Sequence, residues 1–149
     1  MAHGHAEIHQ VWPKDGRVRV VGRIVDLDLP TGVAAGSLTL TNRDRPHLVV
    51  RCPATLTGRR FEASFAVDLI ASASAAAVAG DQEVWDLHLE VPGGHSGLRV
   101  GRHLDDIPNK KKVMTFPAQV GGTARGFVSV KPYYTVEHNL SLICRPAQP

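Results

Sequence analysis

The sequence predicts an all-β domain, an immunoglobulin-like antiparallel β-sandwich of about nine short strands. Apolar and polar residues alternate at period two through most of the chain, as in a sheet with one buried and one wet face. Turn-forming clusters interrupt that alternation about every 8–12 residues, the spacing of a sandwich or barrel. Val is abundant and aromatics make up only 5%, and the branched Cβ of Val suits a pleated surface.

In chain order, Met1 to Gln10 is His-rich and lacks an apolar run. Residues 1–9 are therefore expected to be a flexible tail ahead of one domain over 10–146, with 146–149 loose. After the turn Lys14-Asp15-Gly16, Arg17 to Ile24 places Val18, Val20 and Ile24 inward and Arg17, Arg19 and Arg23 outward. Ser37 to Thr41 buries Leu38 and Leu40, and His47 to Arg51 adds a strand. In Phe61 to Leu69 the alternation puts Phe61, Phe65, Val67 and Leu69 on one buried face. Ile70 to Gly80 breaks the pattern. Its alanines favour a short helix near 70–80 at a sandwich end, with Gly80 as C-cap.

Val84 to Val91 points Trp85, Leu87, Leu89 and Val91 inward and Asp86, His88 and Glu90 outward. Leu98–Arg102, Val113–Phe116, Phe127–Lys131 and a last strand through Leu140, Leu142 and Cys144 complete the set. Thr57-Gly58-Arg59, Pro92-Gly93-Gly94 and Val120-Gly121-Gly122 read as turns.

Composition narrows the function. The 149 residues suit one domain with its own core. A net charge of +3 is scattered, which argues against nucleic acid. The run Lys110-Lys111-Lys112 reads as a solvated loop. No stretch reaches the ~20 apolar residues of a membrane span, and no secretory signal is visible, so the expected location is cytoplasmic. Arg outnumbers Lys twelve to five, a bias expected of a GC-rich bacterial genome. Cys52 and Cys144 have no CxxC spacing and are expected as small buried hydrophobes, without a disulfide.

Catalytic and metal signatures are weak. His3, His5 and His9 would bind metal only adventitiously. His88, His95, His103 and His138 fall on different expected elements, and nothing in their spacing makes them converge as a tetrahedral site requires. Neither a metal nor a cofactor is expected. There is no G-x-S-x-G elbow and no glycine-rich phosphate loop. Gly94-His95-Ser96-Gly97 reads as a hairpin turn, because adjacent residues on an extended chain point apart. Asp105 and Asp106 read as solvated loop carboxylates.

Pro132-Tyr133-Tyr134-Thr135 is the most distinctive segment. Adjacent tyrosines on a strand face opposite sides. The parity of Val128 and Val130 tilts toward Tyr134 as the inward one, but Pro132 can shift the register, so the sequence leaves open which ring is exposed. Packing, with one of them as a corner tyrosine, is the plainer role. An exposed ring could instead stack on a sugar face.

Two segments carry a family resemblance. One is GRHLDDIPNKKK over 101–112, and the other is KPYYTVEHNLSL over 131–142. Taken in order with Phe61-Glu62-Ala63-Ser64-Phe65 and Trp85-Asp86-Leu87, they resemble the accessory β-sandwich that follows the catalytic domain in bacterial family 2 glycosyltransferases and glycerophosphotransferases of cell-wall polymer synthesis. The similarity spans roughly residues 10 to 145, here in a chain that opens on its own Met1 and is expected to stand alone.

In that family the nucleotide-sugar chemistry lies in a separate α/β domain, so no catalytic residue carries over. The resemblance implies a non-catalytic binding or assembly module associated with glycosyl transfer. Its partner would be a glycan, a glycosyltransferase or further copies in a homo-oligomer. Tyr133, Tyr134, Arg102, His103 and Asn139 are the contact candidates. The alternative is a small β-fold enzyme of a bacterial biosynthetic pathway, with Asp86, His88 and Glu90 lining a cavity between the sheets.

Overall fold

A computed structural model of the chain describes residues 5–25, 35–74, 76, 80–91, 97–102, 116–123, 126–135 and 139–147. Ten strands and one short helix follow in the order β1 (His5–Lys14), β2 (Arg17–Val25), β3 (Ala35–Asn42), β4 (Val49–Thr57), β5 (Arg60–Ala66), α1 (Val67–Ala73), β6 (Glu83–Glu90), β7 (Leu98–Arg102), β8 (Gln119–Thr123), β9 (Gly126–Tyr134) and β10 (Leu140–Ala147). The all-β class is as the alternation predicts.

The layering differs from two separate sheets. All ten strands form one hydrogen-bonded sheet, in the order β3-β4-β5-β2-β1-β7-β6-β10-β9-β8, and β3 also pairs with β6. The seven strands from β3 to β6 therefore close into a barrel, and β10, β9 and β8 continue as a three-stranded flap. Closure needs one parallel step, β1 beside β7 with Ala6 opposite Val100, where an antiparallel sandwich was expected. The other pairs are antiparallel.

β6 is the branch point. One edge pairs with β3 from Trp85 to Glu90. The opposite edge pairs with β10 from Glu83 to Asp86 and with β7 at His88 and Leu89. The flap then folds back onto the barrel. Gln119 of β8 accepts a bond from the Gly16 N–H (2.7 Å) and donates to the Arg17 carbonyl (2.8 Å), which docks it on the β1–β2 turn. α1 fills the corner beneath β8. Gly121 is required there, because a Cβ would stand 2.7 Å from the Ala71 Cβ and 3.2 Å from Val67. That contact explains why Val120-Gly121-Gly122 is a strand segment here and not the turn its composition suggests.

The core is one cluster that includes Val18, Val20, Ile24, Leu38, Leu40, Phe61, Phe65, Trp85, Leu87, Leu89, Leu140, Leu142 and Cys144, in keeping with the inward parities expected of those runs. Leu69 departs from expectation and is 43% exposed. The helix starts at Val67, so the period changes from 2 to 3.6 and Leu69 rotates outward.

β1 begins at His5, inside residues 1–9 expected to be a loose tail, and runs on to Lys14. Its register slips between Ile8 and Gln10, a bulge that moves the inward set from Ala6 and Ile8 to Val11 and hides the alternation. The Lys14–Arg17 hairpin turns on Asp15 (φ 55°) and Gly16 (φ 77°), the pair of left-handed residues that a tight two-residue turn demands. At the other end β10 reaches Ala147, into the residues expected to be loose. Of the expected strand Val113–Phe116, Phe116 stands outside any strand, and the rest lies outside the described residues.

Trp85 is fully buried, opposite Leu142 on β10 and Asn42 on β3, so its ring joins barrel to flap. Trp85→Ala is expected to cost about 3–5 kcal/mol, measured as a lower urea midpoint. A midpoint equal to wild type would show that the ring does not fill this core.

Candidate functional site

Asp86, Ser141 and Tyr133 lie in one cross-strand row on the outer side of the sheet, with Thr41 beyond Asp86. Arg43 reaches over the row and binds Asp86 with both forks, Nη2 to Oδ1 at 2.7 Å and Nε to Oδ2 at 3.2 Å. Arg43 also lies against the Tyr133 hydroxyl. The Ser141 hydroxyl donates to Asp86 at 2.7 Å.

Arg99 completes the group from β7. It donates to Asp86 (3.0 Å) and Ser141 (2.9 Å), and to the carbonyls of Leu87 (2.9 Å) and Leu140 (2.6 Å). Those carbonyls lie at the fork where β6 changes partners.

Burial alone would raise the Asp86 pKa. Hydrogen bonds from Arg43 and Ser141, with the charges of Arg99 and Arg43, outweigh it and hold the carboxyl below its ordinary value. His88, half-buried on the same face of the strand, has its pKa shifted down by burial and then by the Arg99 charge. Glu90 pairs with Arg51. Asp86, His88 and Glu90 thus occupy the outer face of β6, and Asp86 and Glu90 are held by arginines. The cavity between sheets that would make the three a catalytic set is not where they point.

The thiols are inert. Burial pushes Cys52 up to about 11 and Cys144 up to about 12, and both are free. Among the described residues no three His, Cys, Asp or Glu side chains are grouped to hold a metal ion. His95, His103 and His138, with Asp105, Asp106 and Lys110–Lys112, lie outside the described residues.

The tyrosines part as strand geometry requires. Tyr134 is 3% exposed and its ring stands 5.7 Å from that of Phe116 at 56°. Tyr133 is half-buried on the Arg43 side. Asn139 forms an isolated bridge with Gly101, and Arg102 pairs with Ile8 through its backbone. The described parts of the two segments that carry the family resemblance, 101–102 and 131–135 with 139–142, therefore meet at one end of the sheet, through the bridge of Gly101 to Asn139. Tyr134, Asn139 and the Arg102 backbone come together there, while Tyr133 faces away.

That end holds a groove of about 230 Å³, lined by Ile8, His9, Gln10, Val11, Trp12, Phe116 and Tyr134. Trp12 is half exposed, and its indole N–H donates to Gln10 at 3.2 Å. Sequence reading missed Trp12, because no strand was assigned ahead of the Lys14-Asp15-Gly16 turn. A Trp just before a tight turn was the available signal.

The fold and site define a class: an all-β domain built on a closed barrel with an apolar core and a small aromatic groove. The particular likeness is to S. aureus TarS. The fold matches the structure of TarS 217–571 with a TM-score of 0.71 over 99% of this chain and 40% of that one, at 17% sequence identity. A second TarS structure matches with a TM-score of 0.70 over 99% of this chain and 25% of that one, at 16% identity. The chain thus spans less than half the length of either. No protein-family profile matches the sequence, and no curated protein matches it.

Two outcomes follow from these placements. Asp86→Asn is expected to cost about 2 kcal/mol at pH 7 through lost charged hydrogen bonds. Because the folded pKa is depressed, this stabilisation is complete above the ordinary value of 3.8 and fades as pH falls through the folded value. The gap between wild type and variant in urea melts should therefore close in that acid range, and a gap that persists unchanged would rule out the charge linkage. Tyr134→Ala should cost roughly 3–5 kcal/mol as a large-to-small core change, clearly more than Tyr133→Ala. Equal losses would contradict the assigned faces.

Proposed function

We propose that this chain is a non-catalytic accessory module of glycosyl transfer, working by contact with a glycan, a glycosyltransferase or further copies of itself. The observation that carries this reading is the filling of the barrel. Its inward positions hold apolar side chains such as Val20, Leu38, Leu40, Phe61, Phe65, Leu87 and Leu89, all at most 1% exposed. Among the described residues, the polar exception at an inward position is Asn42, which turns to accept bonds from the Asp44 and Arg45 N–H groups. Apolar side chains at these inward positions put no acid–base pair there among the described residues, which favours the module over the enzyme alternative.

The likeness to TarS, a glycosyltransferase, supports placing this module beside such an enzyme. The likeness covers a C-terminal part of TarS, in line with an accessory and not a catalytic role. Tyr134, Asn139 and Arg102 are the contact residues this reading favours, with Tyr133 and His103 as further candidates.

The test uses the purified chain and the family 2 glycosyltransferase encoded nearest to it. The chain alone should turn over no nucleotide sugar, and light scattering on the mixture should show a complex or a change in the product glycan. Nucleotide-sugar turnover by the chain alone, abolished by Asp86→Asn or His88→Ala, would overturn the proposal and install the enzyme reading.

A further inference from the structure

The groove beside Trp12 has a definite origin. β1 is paired with β2 along its whole length, but with β7 only at Ala6, Glu7 and Ile8. Among the described residues no strand pairs with the other edge of His9–Lys14. Five consecutive residues, Ile8 to Trp12, line the groove. Side chains of a strand alternate between faces, so a consecutive run can line one groove only if it follows the strand's edge. The bulge at His9 sits in the middle of that run, and bulges commonly re-aim side chains at such places.

The lining has two kinds of surface. Trp12, Phe116 and Tyr134 supply flat apolar ring faces. The Phe116–Tyr134 pair is fixed by its tilted packing, and the Trp12 indole is held by Gln10. Gln10, whose amide oxygen takes that bond, and the exposed His9 imidazole, whose Nε2 lies 3.5 Å from the Glu7 carboxylate, are the polar residues of the lining. None of the lining residues is Asp, Glu, Lys or Arg, and the carboxylate beside His9 is nearly buried, which favours a neutral ligand over a charged one. The volume, 230 Å³, lies below the roughly 300–1,000 Å³ of drug-sized pockets and suits a single ring.

We propose that this groove is a binding site for one ring of a neutral saccharide, with the apolar face of the sugar against Trp12 and its hydroxyls toward Gln10 and His9. A sugar ring matches the groove because it carries the same two surfaces, a C–H face and a polar rim. The inference rests on the accessory-module reading and names the ligand class and the site.

Tryptophan fluorescence tests it on the full chain. The chain has two tryptophans; Trp85 is fully buried and Trp12 half exposed, so a ligand in the groove changes Trp12 emission. The probes are neutral trisaccharides of hexose and of N-acetylhexosamine units. At least one should give a saturable change. Isothermal titration with the same sugar should then show binding weakened about tenfold or more in Trp12→Ala and in Phe116→Ala, and unchanged in Leu69→Ala, an exposed residue of α1 outside the groove. Trp12→Ala replaces an exposed residue, so its melting temperature should stay near wild type.

No saturable response to either sugar, or wild-type affinity in both groove variants, overturns the site. Association with the glycosyltransferase is measured on the same variants. If Trp12→Ala abolishes that association while no sugar binds, the groove is a protein contact. The saccharide inference then fails while the accessory-module reading stands.

Discussion

Where β6 exchanges β10 for β7, the sheet has a fork, and the carbonyls at a fork have no ladder partner. Arg99 fills it. Its guanidinium donates to the Leu87 and Leu140 carbonyls and to Asp86 and Ser141, four acceptors contributed by β6 and β10 to a donor from β7. A planar guanidinium with five N–H groups is the side chain suited to this task, since a lysine offers three donors from a single point. The remaining charge is balanced by Asp86, which Arg43 grips from the other side. Partial burial weakens hydration of these charges, so the pairing and its hydrogen bonds decide whether the fork is stable.

The groove depends on that fork at one remove. Arg99 ties the start of β10 to the barrel, and β10 in turn carries β9, with Leu140 opposite Tyr134. Tyr134 reaches Phe116 and the β1 edge only because the flap is held down there. At the far end of the flap, Gln119 and the Asp68 carboxylate, which accepts from the Gly122 N–H at 3.1 Å, hold β8 to the hairpin and α1. The edge of β8 is thereby covered. Edges invite pairing with other chains, and barrel closure with this docking covers most of them. The outer half of β1 is where the described strands leave an edge beside an aromatic groove.

A fold shared with TarS at 17% identity is physically reasonable. Cores tolerate many apolar substitutions when volume and patterning are kept. The alternation that places Trp85, Leu87 and Leu89 inward can be met by other apolar residues without changing the path of the chain. Trp12, half exposed in the groove, is under no such packing constraint.

The all-β class, the inward faces of β2, β3, β6 and β10, and the burial of Trp85 were legible in the sequence, while which of Tyr133 and Tyr134 turns inward was left open by the proline between them and Val130. Each legible feature depends on period-two alternation, a local property that neighbouring residues express without help. The family resemblance was legible too, through short segments in a fixed order. Barrel closure, the parallel β1–β7 step and the sharing of β6 were not, because strand partners are chosen by contacts far apart in the chain and leave no periodic trace. β1 was hidden by its bulge, which shifts parity at His9, and β8 by glycines that the packing of α1 demands. The roles of Asp86 and Trp12 were likewise decided by tertiary structure. A carboxylate is a candidate acid until Arg43 and Arg99 arrive from other strands to bind it. A tryptophan is part of a site only when Phe116 and Tyr134, more than a hundred residues later, are folded against its strand.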